Sequence, residues 1–208
     1  MTFIKVCGIT NVEDAIESVR LGAHFLGFIF ADSPRRVDVS TVKHIIKIIG
    51  GDARTVGVFT EESDDVIATM NECELNYAQL HGNQSEEFAK AIGANRVIRV
   101  ARVRDNSSVD ALADHEAAAF YLLDTYRKGI AGGTGETFDW SLALRAKSLG
   151  KPVMLSGGLN PENATDAVEA VKPFAVDVSS GVEERPGKKN LSKVKEFIEN
   201  VREADKRA

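Results

Sequence analysis

Short apolar runs alternate with amphipathic stretches from one end of the chain to the other. The apolar runs are Phe3–Val6, Phe25–Phe30, Thr55–Phe59, Tyr77–Leu80, Arg96–Val100, Phe120–Leu123, Pro152–Leu155 and Phe174–Val178. Most are rich in Val, Ile or Phe, the signature of parallel strands covered by helices on the outside. Between them lie stretches with helical spacing of apolar positions: 11–21, 40–49, 63–72, 84–92, 107–116, 139–148, 161–171 and 190–203. Eight such β/α units in 208 residues predict an α/β fold, a single-domain (βα)8 TIM barrel with eight parallel strands, at the small end of that architecture's range.

The punctuation agrees with these elements. Thr10 and Glu13 have the spacing of a capping box. Gly22, Gly50, Gly93 and Gly150 fall where helices should stop, and Asn160 with Pro161 reads as a cap followed by a first helical position. Ser63–Asp65 and Ser85–Glu87 bring acidic groups into first turns, where the helix dipole favours them. The charged tail at 202–208 is expected to fray. An open doubly wound sheet is the alternative architecture, but no G-x-G-x-x-G follows the first strand and the phosphate-type loops come late in the chain.

Composition narrows the class. The chain is 43% hydrophobic and 27% charged, as soluble globular proteins are. Lys plus Arg is 26 against 31 for Asp plus Glu, a formal charge of −5, which argues against general nucleic-acid binding but leaves room for a local basic pocket. Two cysteines, Cys7 and Cys73, provide no disulfide framework and suit a reducing cytosol. MTFIKVCGIT reads as a strand rather than a leader, and no run approaches the length of a membrane span, so a cytoplasmic protein without a membrane partner is expected.

In a (βα)8 barrel the working groups sit at the C-terminal ends of the strands. The seventh run ends in Ser156-Gly157-Gly158 and the eighth in Ser179-Ser180-Gly181. Glycines let backbone N–H groups approach an anion closely, and loops after strands 7 and 8 are the usual phosphate site of this fold. After strand 1, Lys5 and Cys7 share one side of the chain. A thiol near an ammonium at a barrel mouth is expected to be partly thiolate, hence a base or nucleophile; a small buried cysteine is the alternative reading. Arg35 and Arg36 follow strand 2. Neighbours in an extended loop point opposite ways, so one of them is expected to meet an anionic group, unless the loop is simply a solvated basic one. Gln79 and His81 share a face after strand 4, with His81 placed either to bond a sugar hydroxyl, to order a neighbour, or to serve structure alone. Asp124 ends the sixth run; burial there raises a carboxyl pKa and suits it to general acid work, with a helix cap or a lone salt bridge as the alternative. The glycine-rich stretch 129–136, containing Gly133, is expected either to fold over a ligand or to be only a long flexible connection. Trp140 is expected to pack a helix, and Cys73 lies away from the strand ends.

Taken in order, Lys5-Val-Cys7-Gly-Ile-Thr10, Ser33-Pro-Arg-Arg36, Gln79-Leu-His81-Gly82, Leu123-Asp124-Thr125, Gly132 through Trp140, Leu155 through Asn163 and Asp177-Val-Ser-Ser-Gly-Val182 resemble the phosphoribosylanthranilate isomerases of tryptophan biosynthesis. The resemblance spans residue 3 to about 200. It implies a (βα)8 barrel with no cofactor and no metal that performs an Amadori rearrangement on a small phosphosugar, as a monomer or homodimer. By that resemblance Asp124 is the acid that opens the furanose ring and Cys7 the base at C2. Arg36 takes the anthranilate carboxylate and Arg35 belongs to the loop surface. Gly157, Gly158, Ser179 and Ser180 clamp the phosphate, with Gly133 as a further candidate, and Lys5, Gln79, His81 and Asp177 belong to the substrate site. Family members more often carry an aromatic residue where this chain has Val37. Three other readings fit less well. A histidine-pathway sugar-phosphate isomerase would be expected to carry an aspartate where Cys7 stands. A ribulose-phosphate epimerase would need His and Asp metal ligands at several strand ends, and a phosphosugar-binding barrel without activity would need neither Cys7 nor Asp124.

Overall fold

Register and the two-residue period of a strand decide which side chains enter the barrel. The computed structural model describes residues 1–125 and 139–207. Its strands and helices alternate: β1 (Phe3–Cys7), α1 (Val12–Leu21), β2 (Phe25–Ile29), α2 (Val39–Ile49), β3 (Arg54–Phe59), α3 (Asp64–Glu72), β4 (Tyr77–Leu80), α4 (Glu86–Ile92), β5 (Val97–Val103), α5 (Asn106–Asp110), β6 (Phe120–Thr125), α6 (Ser141–Lys147), β7 (Val153–Leu155), α7 (Pro161–Val171), β8 (Ala175–Val178), a hairpin of β9 (Glu183–Arg185) and β10 (Lys188–Lys189), and α8 (Leu191–Arg207). The first eight strands close into a parallel barrel in sequential order, as the alternation predicts.

In-register partners of a parallel sheet point the same way. Lys5 pairs with Phe25 and Asp177, Val58 with Gln79 and Val56 with Tyr77, and Arg102 with Asp124. Following these pairs round the barrel gives an interior that changes character with height. Its lower part is apolar, a cluster of Phe25, Val56, Ile98, Leu122, Met154 and Ala175, plugged by Tyr77, Phe120 and Phe174, with Phe120 and Phe174 stacked 5.0 Å apart. Higher up the inward positions become Lys5, Gln79 and Asp177, then Cys7, Arg102 and Asp124. The apolar floor holds the barrel; the polar rungs above it form the site.

Outside the barrel the helices bury their apolar stripes on the strands. α7 begins with Asn160 accepting from Asn163 N in a reciprocal capping box with Pro161 behind it, and Gly22 and Gly50 end α1 and α2 in the left-handed conformation. Three expectations are corrected. The α1 cap is Asn11, whose side chain accepts from Asp14 N. The Thr10 hydroxyl instead donates to the Gly187 carbonyl, so the Thr10–Glu13 box does not form. The stretch 107–116 is only a five-residue helix capped by Asp105, continued by a 3-10 turn Ala111–Asp114; Ser107 and Ser108 spend their hydroxyls on local bonds to Asp105. The tail does not fray at residue 202. α8 continues to Arg207 because Val201 and Ala204 are fully buried, Asp205 accepts from Thr2 N at 2.9 Å and Arg202 donates to Thr2 O at 2.7 Å. Among the described residues no helix is long and apolar enough to cross a membrane.

Candidate active site

The C-terminal mouth of the barrel holds a cavity lined by Cys7 from β1, Arg35 from the loop after β2, Gln79 and His81 from the end of β4, Arg102 from β5, Asp124 from β6, Ser156 to Leu159 after β7, and Asp177, Ser179 and Ser180 from β8 and its loop. Two groups placed 117 positions apart in sequence thus share one hollow because β1 and β6 lie across the barrel from each other.

Cys7 is buried. The facing strand makes room for it: a Cβ at Gly27 would stand 2.6 Å from Cys7 Sγ. The expected partial thiolate is not what the surroundings favour. Burial pushes the thiol above its ordinary range, the Lys5 ammonium opposes this, and the Asp177 carboxylate pushes it up again. Lys5 does not line the cavity. Standing one rung below Cys7, it is fully buried and paired with Asp177 Oδ1 at 2.8 Å. Ser156 Oγ donates to the other Asp177 oxygen at 3.1 Å.

Across the mouth, Asp124 is buried and accepts from Thr125 N at 2.9 Å. His81 Nε2 lies 3.2 Å from Asp124 Oδ2, and the Gln79 amide nitrogen lies 3.2 Å from His81 Nδ1. The carboxyl is therefore held from two sides, with His81 ordering its neighbour.

The rim formed after β7 and β8 has the character of an anion cradle. Gly157 and Gly158 both adopt left-handed φ, 82° and 73°. A Cβ on Gly157 would collide with Thr125 N and Oγ1, so glycine is required there. Ser180 opens a short 3-10 turn, Ser180–Val182, the extra helical turn that phosphate sites of this fold commonly use. Ser179 Oγ donates to Cys7 O at 3.2 Å and ties this rim to β1.

The two arginines border different hollows, and only the surface placement of Arg35 is corrected. Arg35, expected on the surface, lines the cavity and forks onto Glu183, with Nε at 2.8 Å from Oε1 and Nη2 at 2.7 Å from Oε2. Arg36 is exposed and borders an adjoining hollow with Phe30, Val37, Phe59 and Val66. That hollow meets the main cavity at Ala31, Asp32 and Thr60, and its floor carries Phe30 stacked on Phe59 at 5.2 Å. Gly133 lies outside the described residues, as does the whole stretch 129–136. Trp140 packs against the core, and Cys73 is buried with Sγ donating to Val39 O at 3.8 Å, both in the structural roles expected.

Sequence reasoning missed Arg102, Glu183 and Lys189. Arg102 donates to His81 O at 2.9 Å. Lys189 is fully buried and donates to Cys7 O at 2.6 Å, Ser179 O at 3.2 Å and Glu183 Oε1 at 3.0 Å. It pins the ends of β1 and β8 to the hairpin. Burial lowers the Lys189 pKa against the pull of Glu183. Among the described residues no cluster of His, Cys, Asp and Glu could hold a metal ion.

Comparison with known proteins adds a family. The family model described as N-(5'phosphoribosyl)anthranilate isomerase matches residues 4–200. An N-(5'-phosphoribosyl)anthranilate isomerase of Geotalea uraniireducens is 44% identical, over 97% of this chain and 99% of its own. The crystal structure of the phosphoribosyl anthranilate isomerase of Thermotoga maritima superposes with a TM-score of 0.90 at 40% identity, covering 98% of this chain and 100% of that one. A further isomerase structure, in complex with reduced 1-(o-carboxyphenylamino)-1-deoxyribulose 5-phosphate, superposes with a TM-score of 0.86 at 38% identity, covering 98% and 100%.

Proposed function

The chain belongs to the N-(5'-phosphoribosyl)anthranilate isomerase family, its activity is that isomerisation in tryptophan biosynthesis, and we propose that it proceeds by general acid–base catalysis with Asp124 as acid and Cys7 as base. The observation that carries this reading is that one cavity is lined by both groups, from β1 and β6, and by the glycine and serine loops after β7 and β8.

The steps follow from the chemistry of the substrate. The phosphate docks at Gly157, Gly158, Ser179 and Ser180, which fixes the sugar across the mouth. Asp124 gives its proton to the furanose ring oxygen. The C1–O bond breaks with its electron pair going to that oxygen, and the nitrogen lone pair forms the protonated Schiff base at C1. Cys7, as thiolate, takes the proton from C2. The C2–H pair becomes the C1–C2 double bond, the iminium pair returns to nitrogen, and the enolamine tautomerises to the ketone. Each positioned proton transfer contributes roughly 100- to 10,000-fold.

The flanking groups have matching tasks. Arg36 beside the Phe30–Phe59 stack suits an aromatic ring bearing a carboxylate, which guanidinium binds bidentately. The buried Gln79 Oε1 has no hydrogen-bond partner among the described residues and is left to accept from a sugar hydroxyl. The bound reduced product analogue in a relative at 38% identity supports a phosphosugar ligand here.

Substrate deuterated at C2 tests the base step. A primary isotope effect on kcat in the wild-type protein is expected. No effect on either kcat or kcat/KM, under conditions where chemistry limits turnover, would count against proton abstraction by Cys7.

A further inference from the structure

We propose that Lys5 and Asp177 are positioning residues for Cys7, a fixed ammonium and a fixed carboxylate lodged together under the sulfur, which set how readily it bears negative charge while it takes the proton from C2. This inference rests on Cys7 being the base.

The placement follows from register. Lys5 and Cys7 are successive inward positions of β1, and the in-register partner of Lys5 on β8 is Asp177. Lys5 Nζ sits 2.8 Å from Asp177 Oδ1 with no exposure of the lysine side chain, and its positive charge acts on the Cys7 thiol two residues further along the strand. The other Asp177 oxygen is held by Ser156 Oγ, so neither partner can swing away. A charge pair of this kind is an odd filling for a barrel. The rungs below it are wholly apolar, and apolar side chains of equal volume serve stability as well as or better than a buried ion pair. What the pair offers in place of stability is a directed field at the one sulfur above it.

The charged groups that face Cys7 come from four places: Lys5 on its own strand, Asp177 on β8, Lys189 on β10 and Arg35 on the loop after β2. Among the groups acting on the thiol, burial and Asp177 disfavour the thiolate, whereas Lys5 and Lys189 favour it. Lys5 keeps its proton throughout: burial pulls its pKa down, but Asp177 and the sulfur more than offset this and hold it above the ordinary lysine value. Within this cluster the sulfur alone takes up a proton, the one that leaves C2.

The test reads the thiol directly. In a Cys73→Ala background Cys7 is the sole cysteine, and its rate of alkylation by iodoacetamide is followed against pH in the full chain. Lys5→Met should move the midpoint to higher pH by about one unit, a tenfold loss of thiolate at a given pH. Asp177→Asn should move it to lower pH. Lys5→Met should also lower kcat more than it changes KM. Midpoints that move together, or not at all, would reduce the pair to a structural filling and overturn the proposal. If either single variant fails to fold, the double variant Lys5→Met/Asp177→Asn, which leaves no unpaired charge, decides: a midpoint displaced from wild type is expected, and a midpoint equal to wild type overturns the proposal. The acid–base reading fails separately, through a Cys7→Ser variant that turns over at the wild-type rate.

Discussion

His81 Nε2 stands 3.2 Å from Asp124 Oδ2 while the Gln79 amide nitrogen stands 3.2 Å from His81 Nδ1. An amide N–H can only donate, so Nδ1 accepts and the ring proton sits on Nε2, aimed at the carboxyl. The pair keeps one carboxyl oxygen oriented and gives the carboxylate a donor once its proton has gone to the substrate. Replacing His81 by Ala should therefore lower kcat about 10- to 100-fold, the worth of a hydrogen bond to a charged group at roughly 1.5–3 kcal/mol, with a smaller change in KM. His81→Gln, which restores an N–H, should recover part of the loss. A rise in KM alone would assign His81 to substrate binding instead.

The two neighbouring arginines should separate cleanly in experiment. Arg36→Ala should raise KM with little effect on kcat, losing roughly 1.5–3 kcal/mol of charge-assisted binding. Arg35→Ala should instead reduce stability in denaturant titrations, since its guanidinium forks onto the buried Glu183. A KM effect at Arg35 with an indifferent Arg36 would exchange their roles.

Glu183 is the anchor of Arg35 and Lys189, and removing one partner of a buried pair typically costs about 3–5 kcal/mol. Glu183→Gln should lose stability on that scale by urea unfolding. Burial alone would push this carboxyl up, but the bonds and charges of Arg35 and Lys189 win and hold it below its ordinary value of 4.5. A carboxylate depressed in the folded state stabilises fully above that ordinary value and loses its contribution as pH falls through the depressed one. Below pH 4.5 the wild type should therefore lose stability more steeply than Glu183→Gln. Parallel acid-unfolding curves would contradict this.

Gly157 has a left-handed φ and no room for a Cβ beside Thr125. Gly157→Ala should distort the phosphate rim, raise KM at least about tenfold, a loss of 1.4 kcal/mol, and abolish competitive inhibition by inorganic phosphate. Unaltered inhibition by phosphate would remove the rim from the binding site.

The barrel was legible because most strands are short apolar runs and several helices carry their own cap or stop, such as Asn160 at α7 and Gly22 at α1. What escaped depends on distant partners. Extended neighbours point opposite ways, so the sequence tells that one of Arg35 and Arg36 faces inward; which one is decided by Glu183, 148 positions away. Glu183 and Lys189 sit in a charged hairpin that reads as surface, yet Lys189 is buried against carbonyls of β1 and β8. Arg102 was lost because β5 runs past its apolar part to Val103, and alternation from Ile98 and Val100 would have aimed it into the mouth. The ammonium beside Cys7 was visible in Lys5-Val-Cys7, but the Asp177 carboxylate that offsets it comes from β8.

The most direct test of the account is the turnover of N-(5'-phosphoribosyl)anthranilate by Cys7→Ser and Asp124→Asn beside the wild type, with binding of the reduced product analogue measured on the same preparations. Each variant should lose kcat by roughly 100-fold or more while holding the analogue nearly as well as the wild type. Wild-type kcat in either variant would contradict the assignment of that residue.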